Sequence, residues 1–341
     1  MENRKLTIDD IARDLGISKT TVSRAISGKG RIGRETTARV LAYIEEKKYK
    51  PSALAKGLAQ SKTFNVAFAM PGESKFVDLP FFQKCMWGIT SAAAKKDYDV
   101  MLCVVGENDI TGLKRLAENH KVDGVILGRT YENALAEKYL TEEGVPFLTI
   151  GTSALPGAVQ IDNDHVEACR KLTARLIKSG YNKIAVIGGR TEHIVNRCRL
   201  EGFRKAHEDC GLDPDENLIL TGSSEPAKVS AALDRLLKKH PDCIVCTDDS
   251  VCITVLNRLA ALGVSIPEDI GVASFYNSTT LDNHRPSVTS LEFDASEAGT
   301  LAFDVLLERI DGSPAKELTL LGYNIMERES TRRPVKIIKK C

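Results

Sequence analysis

The sequence predicts an α/β protein: a small all-α head followed by a two-lobed, doubly wound body. Three observations predict this. Residues 1–62 read as short helices with apolar positions at helical spacing. From Phe64 onward, apolar runs bounded by turn residues alternate with helical stretches, and they do so in two series. Charge divides at the same place. The head holds 14 Lys+Arg against 7 Asp+Glu, a net of +7 in a chain whose total is +1, which leaves the body at −6. At 341 residues the chain is also too long for one ordinary core.

Apolar content of 43% and charged content of 27% describe a globular chain and exclude a disordered or membrane-embedded one. No apolar run approaches the roughly 18 residues that span a bilayer. The stretch Met1 to Asp10 lacks the apolar core of a secretory signal, so the expected location is the cytoplasm. The nine cysteines, odd in number and set in apolar runs, agree with a reducing compartment. Cys243 and Cys246 have CxxC spacing, but "DCIVCT" reads as a strand in which i and i+3 face opposite ways. With no second CxxC to complete a zinc site, the pair is read as core.

In the head, Thr7 can cap a first helix with Asp10 as capping-box partner, and Ile8, Ile11 and Leu15 form its apolar stripe. Gly16 breaks that helix. Ser18 caps a second, with Val22 and Ile26 inward and Lys19, Thr20, Thr21, Ser23 and Arg24 outward, before Gly28 and Gly30 form a loop. A third helix over 36–48 packs through Val40, Leu41 and Ile44. Two helices joined by a tight glycine turn form a helix-turn-helix. A small helical bundle without a ligand is the plainer alternative, but the basic charge and the exposed hydroxyl and basic side chains favour DNA.

The linker "YKPSALAKGLAQSKT" (49–63) places Pro51 at a first helical position and Leu54 and Leu58 on one face. It is short, and Gly57 costs it about 1 kcal/mol relative to Ala. Isolated helices below about 12–15 residues are marginal in water. Physics alone leaves two readings open: a helix that forms only when held, or a plain tether.

In the body, strands are expected at 64–70, 99–105, 123–128 and 146–150, and again at 183–189, 217–222, 242–247 and 269–275. Continuous apolar runs indicate buried parallel strands, and two series indicate two lobes of similar size. Ligands of such sheets bind beyond the carboxyl ends of the strands, here in the cleft between lobes.

Together these residues closely resemble the lactose/galactose repressor (LacI/GalR) family of bacterial transcription regulators. In the head the resemblance rests on Ile11-Ala12, Thr21-Val22-Ser23-Arg24, Thr36 with Arg39-Val40, and Tyr49-x-Pro51. In the body it rests on "PFF" (80–82), "VDGVIL" (122–127), "IDN" (161–163), "RLEGF" (199–203) and "RPSVTSLEF" (285–293). The resemblance implies a helix-turn-helix domain over 1–50, a hinge over 51–62 and a periplasmic-binding-protein-like core over 63–341. That core serves effector binding and dimerisation, with an N-lobe of about 63–162 and 292–322 and a C-lobe of about 163–291 and 323–341. It implies a homodimer, or a tetramer of two dimers, on a pseudo-palindromic operator, with no cofactor, no metal and no membrane partner.

By the same resemblance Lys19, Thr20 and Arg24 face base edges, and Thr21 and Ser23 contact phosphates. Thr7, Ser18, Ser27, Tyr49 and Ser52 complete the DNA-binding set. Leu58, beside Ala55, wedges into the minor groove, which favours the hinge reading of the linker. The effector-binding set is Pro71, Phe81, Phe82, Arg129, Asp162, Arg199, Asp248 and Tyr276. Where many members carry an acidic pair after strand 269–275, this chain has Tyr276 and Asn277. Arg129 and Arg199 with one acid fewer suit a sugar, or a phosphorylated or acidic sugar derivative. A structural ion pair at the lobe surface is the alternative for Arg129.

An enzyme is not expected. The sequence has no GxGxxG after a strand, no GxxxxGK(S/T), no GxSxG and no HExxH, and its six histidines show no metal-ligand spacing. A corepressor-dependent global regulator and a sugar-binding protein without DNA function are the competing functions for this fold.

Overall fold

The computed structural model describes residues 6–27, 32–47, 57, 60–72 and 80–332. The chain divides into two compact units, 1–63 and 64–341.

The first unit contains α1 (Ile8–Leu15), α2 (Lys19–Ser27) and α3 (Arg34–Glu46). The capping box forms as expected: the Asp10 N–H donates to Thr7 Oγ1 at 3.3 Å, and the Thr7 N–H donates to Asp10 Oδ2 at 3.0 Å. Gly16 ends α1 at φ +66°, a conformation glycine adopts without a Cβ clash. Ile11, Ala12, Val22, Ala25 and Val40 form the core, with Ile8, Leu15, Ile26 and Ile44 packed against it. Leu41 departs from expectation: it is 48% exposed. Once Val40 points inward, Tyr43 and Ile44 at i+3 and i+4 share its face, while i+1 turns about 100° away. Arg39 closes the unit by donating from Nη2 to the Leu15 carbonyl at 3.2 Å.

The second unit is built on two six-stranded sheets. The first has the order β11-β5-β4-β3-β1-β2. It comprises β1 (Asn65–Pro71), β2 (Asp99–Val105), β3 (Gly124–Leu127), β4 (Phe147–Ile150), β5 (Gln160–Asn163) and β11 (Leu318–Leu321). The second has the order β12-β10-β9-β8-β6-β7. It comprises β6 (Ile184–Ile187), β7 (Ile219–Leu220), β8 (Cys243–Cys246), β9 (Gly271–Ser274), β10 (Thr289–Glu292) and β12 (Asn324–Met326). Among the described residues, all pairings of these strands are parallel except that of β10 with β12. The helices are α4 (Pro80–Ala94), α5 (Thr111–Glu118), α6 (Leu135–Glu142), α7 (His165–Lys178), α8 (Ile194–Asp209), α9 (Pro226–Leu237), α10 (Asp249–Ala261), α11 (Thr279–Asn283) and α12 (Ala295–Ile310).

Each series of apolar runs therefore supplies one sheet, with three strands at its centre and one, β2 or β7, at its edge. The expected strand at 217–222 shrinks to two residues because Glu216–Leu218 turns as a 3-10 helix. β8 is buried throughout, with Cys246 packed on one face of its sheet and Cys243 on the other. The chain passes between the lobes three times: from β5 to α7, from β10 to α12, and from β11 to β12. On the first lobe α4 and α12 pack backbone to backbone. A Cβ on Gly88 would lie 2.1 Å from the Ser296 carbonyl oxygen, and one on Gly299 would lie 2.1 Å from that of Cys85.

Candidate functional site

Two places concentrate polar chemistry, one in each unit. In the first unit, Ser18 Oγ accepts the Thr21 N–H at 3.1 Å and lies 2.8 Å from Thr21 Oγ1, so these hydroxyls organise the start of α2. Lys19, Thr20 and Arg24 are exposed, while Thr21 and Ser23 are half-buried. Lys19 pairs with Asp9 of α1. Thr7 spends its hydroxyl on Asp10 at 2.6 Å. α2 thus presents a face of one ammonium, one guanidinium and several hydroxyls, with its N–H groups directed out of the same end. The side chain of Ser27, and Tyr49, Ser52, Ala55 and Leu58, lie outside the described residues, as does most of the 51–62 linker.

In the second unit a cavity of about 130 Å³ lies between the lobes, beyond the carboxyl ends of the strands. Its lining includes Phe81, Phe82, Arg129, Asp162, Arg199, Asp248 and Tyr276, which gathers all but one of the expected effector residues. Pro71 is the exception. β1 continues through it as sheet, paired with Val105 of the edge strand β2, so it is not part of the cavity lining.

The aromatic part of the wall comes from both lobes. Phe81, at the start of α4, meets Tyr276 edge-on with centroids 6.1 Å apart, and Tyr276 stacks on Phe293 at 6.4 Å. The Arg129 guanidinium lies over the Phe82 ring, 5.3 Å from its centroid. At the next position, Asn277 turns into the protein. Its Oδ1 accepts from Ser290 Oγ at 3.0 Å and from Arg328 Nη1 at 3.1 Å, so the cavity receives a phenol and no acid from this loop.

The polar part is organised around Asp162 at the end of β5. Its Oδ2 accepts from Thr152 Oγ1 at 2.7 Å, its Oδ1 accepts the Asn163 N–H at 2.7 Å, and His165 Nε2 stands 3.4 Å from Oδ1. Burial raises the Asp162 pKa, but the bonds from His165, Thr152 and Asn163 outweigh it and hold the carboxyl below the ordinary value. Asp248 caps α10, accepting the Val251 N–H at 2.9 Å and Ser250 Oγ at 2.7 Å. Asp249 is 4% exposed, and burial, helped by the charge of Asp248, raises its pKa. Arg199, one turn into α8, is 7% exposed and donates from Nη1 to Asn196 Oδ1 at 3.5 Å.

His165, His193, Asn196, Thr152 and Asp249 were not legible as site residues, although spacing carries a signal for some of them. His165 falls three residues after Asp162, Asn196 three before Arg199, and Asp249 directly follows Asp248. Contacts also bridge the lobes at the cavity mouth. Arg197 pairs with Glu132 at 2.9 Å, Arg190 with Glu107 at 3.3 Å, and Tyr131 and His193 form a short antiparallel bridge. Among the described residues no group of three or more His, Cys, Asp or Glu could hold a metal, and no helix is long and apolar enough to cross a membrane.

A helix-turn-helix unit with a polar, cationic second helix, followed by a two-lobed body enclosing a cavity of aromatic rings and charged groups, fits a DNA-binding protein with a ligand-binding body. Comparison with known proteins places it further. Residues 7–52 match the family described as bacterial regulatory proteins, lacI family. Residues 73–341 match the family described as periplasmic binding proteins and sugar binding domain of LacI family. The chain belongs to the LacI family of bacterial transcriptional regulators, which are DNA-binding proteins and not enzymes.

Among its relatives, the HTH-type transcriptional repressor PurR of Vibrio atlanticus is 28% identical over 335 residues, covering 96% of this chain and 98% of that one. The HTH-type transcriptional regulator CelR of Thermobifida fusca is 29% identical over 337 residues, with 96% and 98% covered. Among solved structures, a CelR–cellobiose complex is 27% identical with a TM-score of 0.73, covering 96% of this chain and 100% of that one. A lac repressor dimer bound to operator shares the fold at a TM-score of 0.79 and 21% identity, with 96% and 99% covered.

Proposed function

We propose that this chain represses transcription by binding a pseudo-palindromic operator as a homodimer, and that a sugar or sugar derivative held between the lobes sets its operator affinity. The observation that carries this reading is the cavity itself, where buried hydrogen-bonding groups from both lobes converge in a chain that also exposes Lys19, Thr20 and Arg24 on α2. The repressor PurR and the CelR–cellobiose complex among its relatives support the two halves of the reading.

In this reading residues 1–50 bind DNA, 51–62 act as the hinge and 63–341 sense the effector and dimerise. Lys19, Thr20 and Arg24 read base edges, where a well-placed arginine discriminates by about 1–3 kcal/mol. Asp162, Asp248 and Arg199 orient the effector, and the aromatic wall covers it. The pairs Arg197–Glu132 and Arg190–Glu107 support a closed state, and an effector biases closure only by binding one state better than the other. For the dimer, Trp87 on α4 is 72% exposed, and Leu102 and Val104 stand out from the edge strand β2 at 53% and 59%.

A gel-shift with the DNA upstream of the protein's own gene, with and without a panel of sugars, tests the reading. A specific complex whose affinity changes with one sugar class supports it; absence of a specific complex overturns it.

A further inference from the structure

Phe293 is the whole of the second passage between the lobes. β10 ends at Glu292, and Asp294 already caps α12 by accepting the Glu297 N–H at 2.9 Å. A turn of one lobe against the other at this passage therefore falls on the Phe293 backbone. The first passage is as short: β5 ends at Asn163, and Asp164 caps α7 by accepting the Glu167 N–H at 2.9 Å. The third is Gly322 and Tyr323, between β11 and β12.

The Phe293 side chain meets a ring from each of the other two passages and one from the cavity. Phe293 is 4% exposed. His165, the first residue of α7, stands edge-on to it with centroids 4.8 Å apart, and Tyr323 lies tilted against it at 6.4 Å. On the cavity side Tyr276 is stacked with it, the planes 12° apart. Phe81, which packs against the cores of both lobes, closes the row by standing edge-on to Tyr276. Such rings do not slide freely, because close packing and the directional preference of aromatic pairs give them discrete arrangements. A ring that touches all three passages has to shift when any one of them turns.

Resting on the cleft as the effector site, we propose that Phe293 is a positioning residue. It seats Tyr276 at the cavity wall and ties the three passages together, so that a molecule displacing Tyr276 turns all three at once.

Amide hydrogen exchange of the full-length protein, read peptide by peptide, tests this without an effector. Phe293→Leu is expected to speed exchange about tenfold or more in all three passages, residues 163–165, 292–294 and 321–324. Tyr323→Leu, at a half-buried ring, should do the same in the first and second passages, which it reaches through Phe293. It decides alone if Phe293→Leu does not fold. Phe303→Leu removes an equally buried ring from the core of the first lobe and should leave the passages unchanged. Acceleration confined to the substituted passage, or equally large in Phe303→Leu, overturns the inference.

Gel-shifts on the DNA upstream of the protein's own gene carry the test to regulation. Tyr276→Leu is expected to change operator affinity about fivefold or more, and under about twofold once Phe293 is leucine. No effect of Tyr276→Leu, or one that persists undiminished beside Phe293→Leu, overturns the coupling. Absence of any specific complex removes the regulator reading instead, and the exchange rates then decide on Phe293.

Discussion

His165 Nε2 stands 3.4 Å from the Asp162 carboxylate, so the first residue of α7 braces the carboxyl end of β5 at the cavity wall. This brace, with Thr152 and the Asn163 N–H, lowers the Asp162 pKa in the folded chain below the ordinary 3.8. The stability that Asp162 contributes is complete above that value and is lost as pH falls through the lower, folded pKa. Asp249 has the opposite sign. Its folded pKa lies above 3.8, so its penalty is absent at low pH and grows as pH rises through that range. Asp162→Asn is expected to lower stability at neutral pH by about 1–3 kcal/mol and to flatten the acid limb. Asp249→Asn is expected to raise the melting temperature at pH 7. Thermal unfolding of both variants between pH 3 and 8 checks the two signs.

The exposed pair of Lys19 with Asp9 stabilises the head little but occupies a side chain proposed to read DNA. Asp9→Asn is expected to leave the melting temperature unchanged and to tighten operator binding several-fold. Lys19→Ala should weaken it, and Arg24→Ala should cost about 1–3 kcal/mol with relaxed specificity at its base pair. Fluorescence anisotropy against cognate and scrambled duplexes over a salt series measures all three.

Gly88 and Gly299 allow α4 and α12 to touch through their backbones. Alanine at either position forces the helices apart, an overpacking that costs about 1–3 kcal/mol or more. Gly88→Ala, followed by denaturant unfolding, should show that loss. An unchanged midpoint would mean the helices separate without penalty.

Trp87 is the chain's single tryptophan and is largely exposed on α4. If α4 lies in the proposed dimer, Trp87 emission shifts to the blue as protein concentration rises through the dissociation constant. Trp87→Arg should then sediment as a monomer and bind operator weakly. Emission that does not change across a concentration range spanning monomer and dimer would place the interface elsewhere.

The parts of this architecture that are legible in sequence are those where burial is continuous. β1, β3, β4, β6, β8 and β9 are apolar runs between turn residues, and they lie at the sheet centres. β11 and β12 are not legible as strands: the first is an edge whose Leu318 and Leu320 face out, and the second has three residues. The capping box at Thr7 is a local rule and holds locally. Leu41 is misleading because apolar identity does not report which side of α3 the core lies on. In the cavity, Asp162, Arg199 and Asp248 stand out by resemblance. His165, His193 and Asp249 look like ordinary polar residues at helix starts until the first lobe is folded over them.

The three passages between lobes bear on how the polypeptide matures. β11 is the outer strand beside β5 in one sheet and β12 the outer strand beside β10 in the other, and both come after residue 317. While the chain is being made, both sheets therefore wait with an unpaired edge until residues 318–326 leave the ribosome. A nascent chain stalled before Leu318 would lack the outer strand of both lobes at once, with two sticky borders rather than one finished lobe and one unfinished. Completion of both sheets is thus a single event, and it follows the synthesis of every residue that lines the cavity, the last of which is Phe293.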